Sequence, residues 1–204
     1  MNSEAAILHL GKDSFLAEVI QSTSIPPFAP SGKVYFELLE SIVSQQLSVR
    51  AAATIFSRFC AIFPDNYPHP ETLVSIPPEQ LRNVGLSFQK AKYLKNVAAF
   101  TLDNDLDRLR WEDYSDIEII NLLTKIKGVG RWTSEMILMF TLGRPDIFPA
   151  DDLGIQQAMI RLYNLTDTGK TLQLRMRELS EQWQPYRTTA CRYLWRWKDQ
   201  RNSL

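Results

Sequence analysis

Apolar residues along this 204-residue chain recur at three- and four-residue intervals, and no segment alternates convincingly with a period of two. The pattern predicts an all-α protein of roughly ten helices. Ile7, Leu8, Phe15, Leu16, Val19 and Ile20 mark a short helical stretch within residues 1–20. Ser24-Ile25-Pro26-Pro27-Phe28-Ala29-Pro30 follows as an extended connector, because proline lacks the N–H a helix interior needs. Residues 34–63 read as two helices, with Phe36, Leu39, Ile42 and Val43 on one side of the first and Ile55, Phe59 and Ile62 on the second. They join near Ser44-Gln45-Gln46-Leu47-Ser48, and Pro64, Pro68 and Pro70 end the second. Pro77-Pro78-Glu79 opens a helix that stops at Gly85. Further helices are expected over 88–100, with Ala91, Leu94, Val97 and Ala98 inward, and over 119–127, opened by Ser115-Asp116-Ile117-Glu118. The remainder are placed over 133–142, from Asp152 to Tyr163, over 172–183 and over 185–197.

Composition narrows the class of protein. With 45% hydrophobic and 23% charged residues, the chain is long enough for a real core and has no run of about 18 apolar residues. Glu4, Asp13 and Glu18 interrupt the basic-then-apolar pattern of an export signal, so an intracellular location is expected. Two cysteines, Cys60 and Cys191, form neither a disulfide framework nor the four thiolates of an iron–sulfur cluster, and they read as buried packing residues. His9 and His69 have no Cys or carboxylate at metal spacing. The formal net charge of zero removes long-range steering toward nucleic acid. Its distribution is uneven: residues 170–204 hold eight Lys/Arg against three Asp/Glu, and residues 101–120 hold two against seven. A neutral molecule with a basic face is therefore allowed, as is a plain solvated surface.

Two segments carry the chemistry. In Lys125-Ile126-Lys127-Gly128-Val129-Gly130-Arg131-Trp132-Thr133, two glycines flank one apolar residue between helices. Such a turn lets backbone N–H groups approach an anion with no Cβ in the way, and the following helix dipole favours a phosphate there. A tight helix connector would use the same residues. Beyond an apolar helix and the Gly143-Arg144-Pro145 break comes Phe148-Pro149-Ala150-Asp151-Asp152, two adjacent carboxylates at a helix start. Asp is a favoured helix cap, so either carboxylate could simply cap the helix, and capping and chemistry can coexist at one helix end.

Four blocks, in order, resemble the helix-hairpin-helix superfamily of DNA base-excision glycosylases, and look most like its alkylation-repair branch, the 3-methyladenine DNA glycosylases of AlkA and yeast Mag type. They are residues 44–48, residues 126–133, residues 148–152, and Pro185-Tyr186-Arg187 through Tyr193-Leu194-Trp195. The resemblance extends over about residues 35–197. It implies a catalytic Asp152, with Asp151 as cap or support, stabilising positive charge that builds at C1′ as the glycosidic bond breaks. Relatives that also nick the strand carry a Schiff-base lysine where Trp132 stands, so the resemblance implies a monofunctional enzyme. It places Leu47 in the gap left by a flipped nucleotide, with Gln46 and Ser48 against neighbouring bases or the minor groove. Trp195, Trp132 and Met136 would line an aromatic pocket for a cationic methylated purine. The hairpin residues Lys125, Lys127, Gly128, Val129, Gly130 and Thr133 would hold DNA phosphate.

The implied architecture has two helical subdomains, residues 35–147 with the hairpin and residues 1–34 plus 148–204 from both termini, with Asp152 in the cleft between them. The implied function is hydrolytic release of alkylated purines, chiefly 3-methyladenine with 7-methylguanine as an additional candidate, from double-stranded DNA by a monomer. No redox cofactor or catalytic metal is implied. A sodium or potassium ion held by hairpin carbonyls is a family feature. The alternatives are a catalytically silent module that binds damaged DNA, and a glycosylase for another lesion such as ethenoadenine.

Overall fold

A computed structural model describes residues 4–202, and the ends of the expected second lobe, residues 1–3 and 203–204, lie outside the described residues. The architecture is helical throughout, with no strand among the described residues. In chain order the helices are α1 (Glu4–Leu10), α2 (Ser14–Ser22), α3 (Val34–Ser44), α4 (Val49–Ala61), α5 (Pro70–Ser75) and α6 (Pro78–Asn83). They continue as α7 (Phe88–Asn104), α8 (Asp116–Leu123), α9 (Arg131–Met136), α10 (Leu153–Tyr163), α11 (Gly169–Ser180) and α12 (Arg187–Asn202). The expected all-α class holds. Among the described residues no helix is long and apolar enough to cross a membrane.

Several expected elements differ in detail, each for a local reason. The pattern over residues 1–20 is two helices, because α1 stops at the Gly11 turn and Asp13 caps α2, accepting from Phe15 N at 3.0 Å and Leu16 N at 3.2 Å. Pro70 starts α5 instead of ending its predecessor, since proline at the first helical position forfeits no hydrogen bond. Helix α7 runs a turn past Phe100, to a left-handed stop at Asp105. Helix α8 closes at Leu123 after a Ser115/Glu118 capping box, so residues 124–127 belong to the turn before the hairpin. After Met136 the chain continues as a π-helical turn, Ile137–Thr141, whose Leu142 N–H reaches Ile137 O at 2.9 Å. This wider turn directs Ile137, Leu138, Met139 and Thr141 all into the interior.

The chain divides into two compact units, Ser31–Leu142 and Met1–Pro30 with Gly143–Leu204. In the first, α7 packs against α3, α5 and α6, and α3 against α4. Its core is built from Val34, Leu38, Leu39, Ile42 and Val43 of α3, Phe59 of α4, and Leu94 and Val97 of α7, all buried. In the second, α12 packs against α10 and α2, and α11 against α10. Asp13 organises this unit from its interior: its Oδ2 accepts from Trp183 Nε1 at 2.9 Å and from the Tyr163 hydroxyl, while Oδ1 caps α2. Both oxygens of a buried carboxylate are thereby satisfied, which a buried charge requires. The Tyr163 hydroxyl is pushed well above the ordinary phenol range by burial and, next, by its bond to Asp13. Cys60 and Cys191 are buried free thiols, as their composition suggested.

Candidate active site

In the discontinuous unit, the segment before α10 is tied to the start of α12. Arg187 forks onto Asp146, Nε to Oδ1 at 2.7 Å and one terminal nitrogen to Oδ2 at 2.8 Å. Thr188 Oγ donates to Arg144 O at 2.7 Å and accepts from Ile147 N at 3.0 Å. Bidentate pairing of this kind fixes orientation as well as distance. Arg187 and Thr188, at the start of α12, therefore anchor the segment that leads to Asp152.

Asp152 is the N-cap of α10: its backbone is extended, and Oδ1 accepts from Ile155 N at 2.8 Å. Oδ1 also accepts from Trp195 Nε1, again at 2.8 Å. Two donors on one oxygen, plus the positive end of the α10 dipole, hold a half-buried carboxylate in one orientation. Asp151, expected as cap or support, is exposed in the preceding turn, and the cap falls on Asp152 instead. Trp195, half-buried on α12, meets that carboxylate edge-on through its N–H.

Gly154 makes this meeting feasible, and nothing in the sequence patterns singled it out. A methyl group there would lie 2.9 Å from Trp195 Cδ1 and 3.0 Å from both Trp195 Nε1 and Asp152 Oδ1. Only a glycine lets the indole lie across the first turn of α10. The available signal was a glycine, a poor helix former, placed two residues after the second carboxylate.

In the continuous unit the hairpin lies between α8 and α9. Gly128 has φ +110°, a value that L side chains rarely adopt, and its Cα faces the ring of Tyr93 on α7. Gly130 differs: its φ is −96° and a Cβ there would meet nothing within 4 Å. Of the two glycines, Gly128 is required by the fold, and Gly130 leaves open space at the N-cap of α9. Lys125 and Lys127 are exposed, whereas Val129 and Thr133 turn their side chains inward, so the hairpin offers a ligand backbone rather than those two side chains. Arg131 Nε bonds to the buried Glu135 at 2.9 Å, bracing the first turn of α9. Trp132 is 41% exposed at the same helix end, and Met136 is half-buried one turn on.

The turn between α3 and α4 carries the other expected DNA-contacting residues. Gln46 is left-handed at φ 59°, which turns the chain sharply and leaves the Leu47 side chain 38% exposed. Ser48 caps α4, its Oγ accepting from Ala51 N at 3.3 Å. At the tip of a capped, tight turn, this apolar side chain is left partly in solvent.

Residues 39–185 match the sequence profile of the HhH-GPD superfamily of base excision DNA repair proteins. The chain belongs to this superfamily. Among HhH-GPD relatives, DNA-3-methyladenine glycosylase 1 of Schizosaccharomyces pombe is 38% identical over 164 residues, covering 79% of this chain and 71% of that protein. The solved structure of the Schizosaccharomyces pombe 3-methyladenine DNA glycosylase Mag1 in complex with abasic DNA superposes with a TM-score of 0.80 at 34% identity, covering 94% of this chain and 95% of that one. The crystal structure of a DNA-3-methyladenine glycosidase from Bacillus halodurans gives a TM-score of 0.80 at 32% identity, covering 99% and 92%. The HhH-GPD match takes in the Leu47 turn, the hairpin and Asp152, and its last matched residue precedes Trp195.

Proposed function

We propose that this protein is a monofunctional DNA glycosylase that hydrolyses the N-glycosidic bond of alkylated purines, 3-methyladenine above all, in double-stranded DNA. The observation that carries the reading is the Asp152 carboxylate, oriented at Oδ1 by Ile155 N and Trp195 Nε1. As a purine leaves, positive charge spreads over C1′ and the ring oxygen of the sugar, and a fixed anion stabilises that charge without reorganising. N3-methylation already makes adenine a cationic leaving group, so the base departs as a neutral molecule without needing a proton. Water then adds at C1′, its proton passing to Asp152 or to solvent, and an abasic site remains. No lysine stands at position 132 to trap the sugar as a Schiff base.

The other parts supply access to the base. The N–H groups at the start of α9 grip phosphate regardless of sequence, with Lys125 and Lys127 adding charge. Leu47 occupies the gap left by the everted nucleotide, flanked by Gln46 and Ser48. Trp132 and Met136 of the continuous unit and Trp195 of the other are the residues this reading assigns to the base, where a π face attracts a methylated, cationic purine. Among the described residues no cluster of three or more His, Cys, Asp and Glu side chains could hold a metal ion. A sodium or potassium ion at the hairpin would share carbonyls that already serve as acceptors, Ile126 for Val129 N, Lys127 for Asn96 and Gly130 for Ser134. No step above depends on such an ion.

Randomly methylated duplex DNA tests the reading. Incubation with the purified protein should release 3-methyladenine, identified by mass, and strand breaks should appear only after alkali. Breaks without alkali would contradict the monofunctional assignment, and no release from any methylated substrate would favour a silent damage-binding module.

The Trp195–Gly154 contact makes a separate prediction. Gly154→Ala improves helix propensity by about 0.5–1 kcal/mol yet forces the indole and carboxylate apart at a cost of about 1–3 kcal/mol, so base release should slow by roughly tenfold while stability falls by about 2 kcal/mol or less. Trp195→Phe removes the N–H donor and should slow release by a similar factor. Because both act on the same hydrogen bond, the double variant should lose much less than the product of the two, read by single-turnover kinetics.

A further inference from the structure

The two DNA-contacting turns of the continuous unit, at Leu47 and at Gly128, are both held by one face of α7. Near its start, the Lys90 ammonium donates to Val43 O at 2.8 Å and to Gln45 O at 2.7 Å. These carbonyls close α3, where a helix end exposes unpaired oxygens and its negative dipole end, so a cation there clamps the turn that follows. One turn along, the ring of Tyr93 lies directly against Gly128: a methyl group on that glycine would come within 2.7 Å of Tyr93 Cβ and Cδ1, and nearer still to Cγ. A further turn along, Asn96 Nδ2 donates to Lys127 O at 3.0 Å. Residues 90, 93 and 96 follow one another at three-residue spacing, which lines them along one ridge of the helix and puts the outer two about 9 Å apart along its axis.

We propose that α7 is a rigid gauge between the intercalating turn and the phosphate-binding hairpin, and that Lys90, Tyr93 and Asn96 are positioning residues that fix Leu47 relative to the gripped phosphate. The inference rests on the reading of Leu47 as the residue that fills the gap. Its consequence is register: the protein everts one nucleotide at a set number of steps from the phosphate that the hairpin holds. A helix is suited to this task because it does not shorten or bend under small loads, and α7 is anchored along its length by α3, α5 and α6. Lys90 is drawn below the ordinary lysine range by partial burial, as expected of an ammonium committed to two backbone carbonyls rather than to water.

Lys90→Met keeps the aliphatic stem and removes the donors, and it separates the clamp from general stability. In the free protein, amide hydrogen exchange over residues 45–48 should quicken at least tenfold, with exchange over residues 125–130 unchanged. On DNA, affinity for a duplex containing a tetrahydrofuran abasic-site analogue should fall at least tenfold, while affinity for the same duplex without the lesion stays within twofold of wild type. Asn96→Leu should do the reverse in exchange, loosening 125–130 and leaving 45–48 as it is, and should weaken both duplexes together. Wild-type exchange over 45–48 in Lys90→Met, or an equal loss on both duplexes, would overturn the proposal. If the wild type itself showed no preference for the abasic duplex, the reading of Leu47 would fail instead. The exchange pattern would still decide whether Lys90 holds the turn.

Discussion

Asp152→Asn should release alkylated purines about a thousandfold more slowly than the wild type in single-turnover assays, a loss of roughly 4 kcal/mol of transition-state stabilisation. The substitution removes charge and little else. Asparagine is as good a helix cap as aspartate, and its amide oxygen can keep both the Ile155 N–H and the Trp195 N–H now held by Oδ1. Thermal unfolding and affinity for undamaged duplex should therefore stay close to wild type. If Asp152 served only to cap α10, the variant would release base at the wild-type rate. A variant that loses release and unfolds early would show that the cap, not the charge, is what matters.

Gly128→Ala should be the most damaging change in the hairpin, costing about 3 kcal/mol of stability and lowering the melting temperature by roughly 6–12 °C. Two effects combine. An alanine is strained at φ +110°, and its methyl group would drive into the Tyr93 ring. Gly130→Ala is the control at two residues' distance. Its backbone suits any residue and its Cβ would meet open space, so stability should fall by about 1 kcal/mol or less, the cost of a poorer cap. If the α9 amides hold phosphate as proposed, affinity for undamaged duplex should nonetheless drop about tenfold, because the methyl group would stand in its path. Equal effects of the two substitutions on stability and on DNA binding would contradict this division between a glycine the fold needs and one the ligand needs.

The helical class and most of the elements were legible because amphipathic spacing and caps are local. The Ser115/Glu118 capping box and the Gly85 stop are read within four residues, and both form as expected. Proline was read less well. Pro70 carries the same chemical message at the end of one helix and at the first position of the next, and only the packing of α5 on α7 decides between them. The gap at Gly11 in the N-terminal pattern was hidden because Ile7, Leu8, Phe15 and Leu16 keep apolar spacing across it, although of these four only Leu16 is buried.

The candidate site was legible where its residues are consecutive and opaque where they are not. The 44–48 turn, the hairpin and the carboxylate pair are contiguous motifs, and resemblance singled out Leu47 and Asp152 from them. The bond between Trp195 and Asp152 spans 43 residues, and the Lys90 clamp on Gln45 O spans 45. Neither is encoded in any local pattern. Gly154 and Asn96 likewise have roles only through what lies across from them in space.

Matched abasic-site analogues report whether the negative charge of Asp152 stabilises a cationic sugar. A duplex carrying a protonated pyrrolidine mimics that cation, whereas one carrying tetrahydrofuran has the same shape and no charge. Wild-type protein should bind the pyrrolidine duplex at least tenfold more tightly than the tetrahydrofuran duplex, and Asp152→Asn should bind the two alike. An unchanged preference in Asp152→Asn, or none in the wild type, would contradict it.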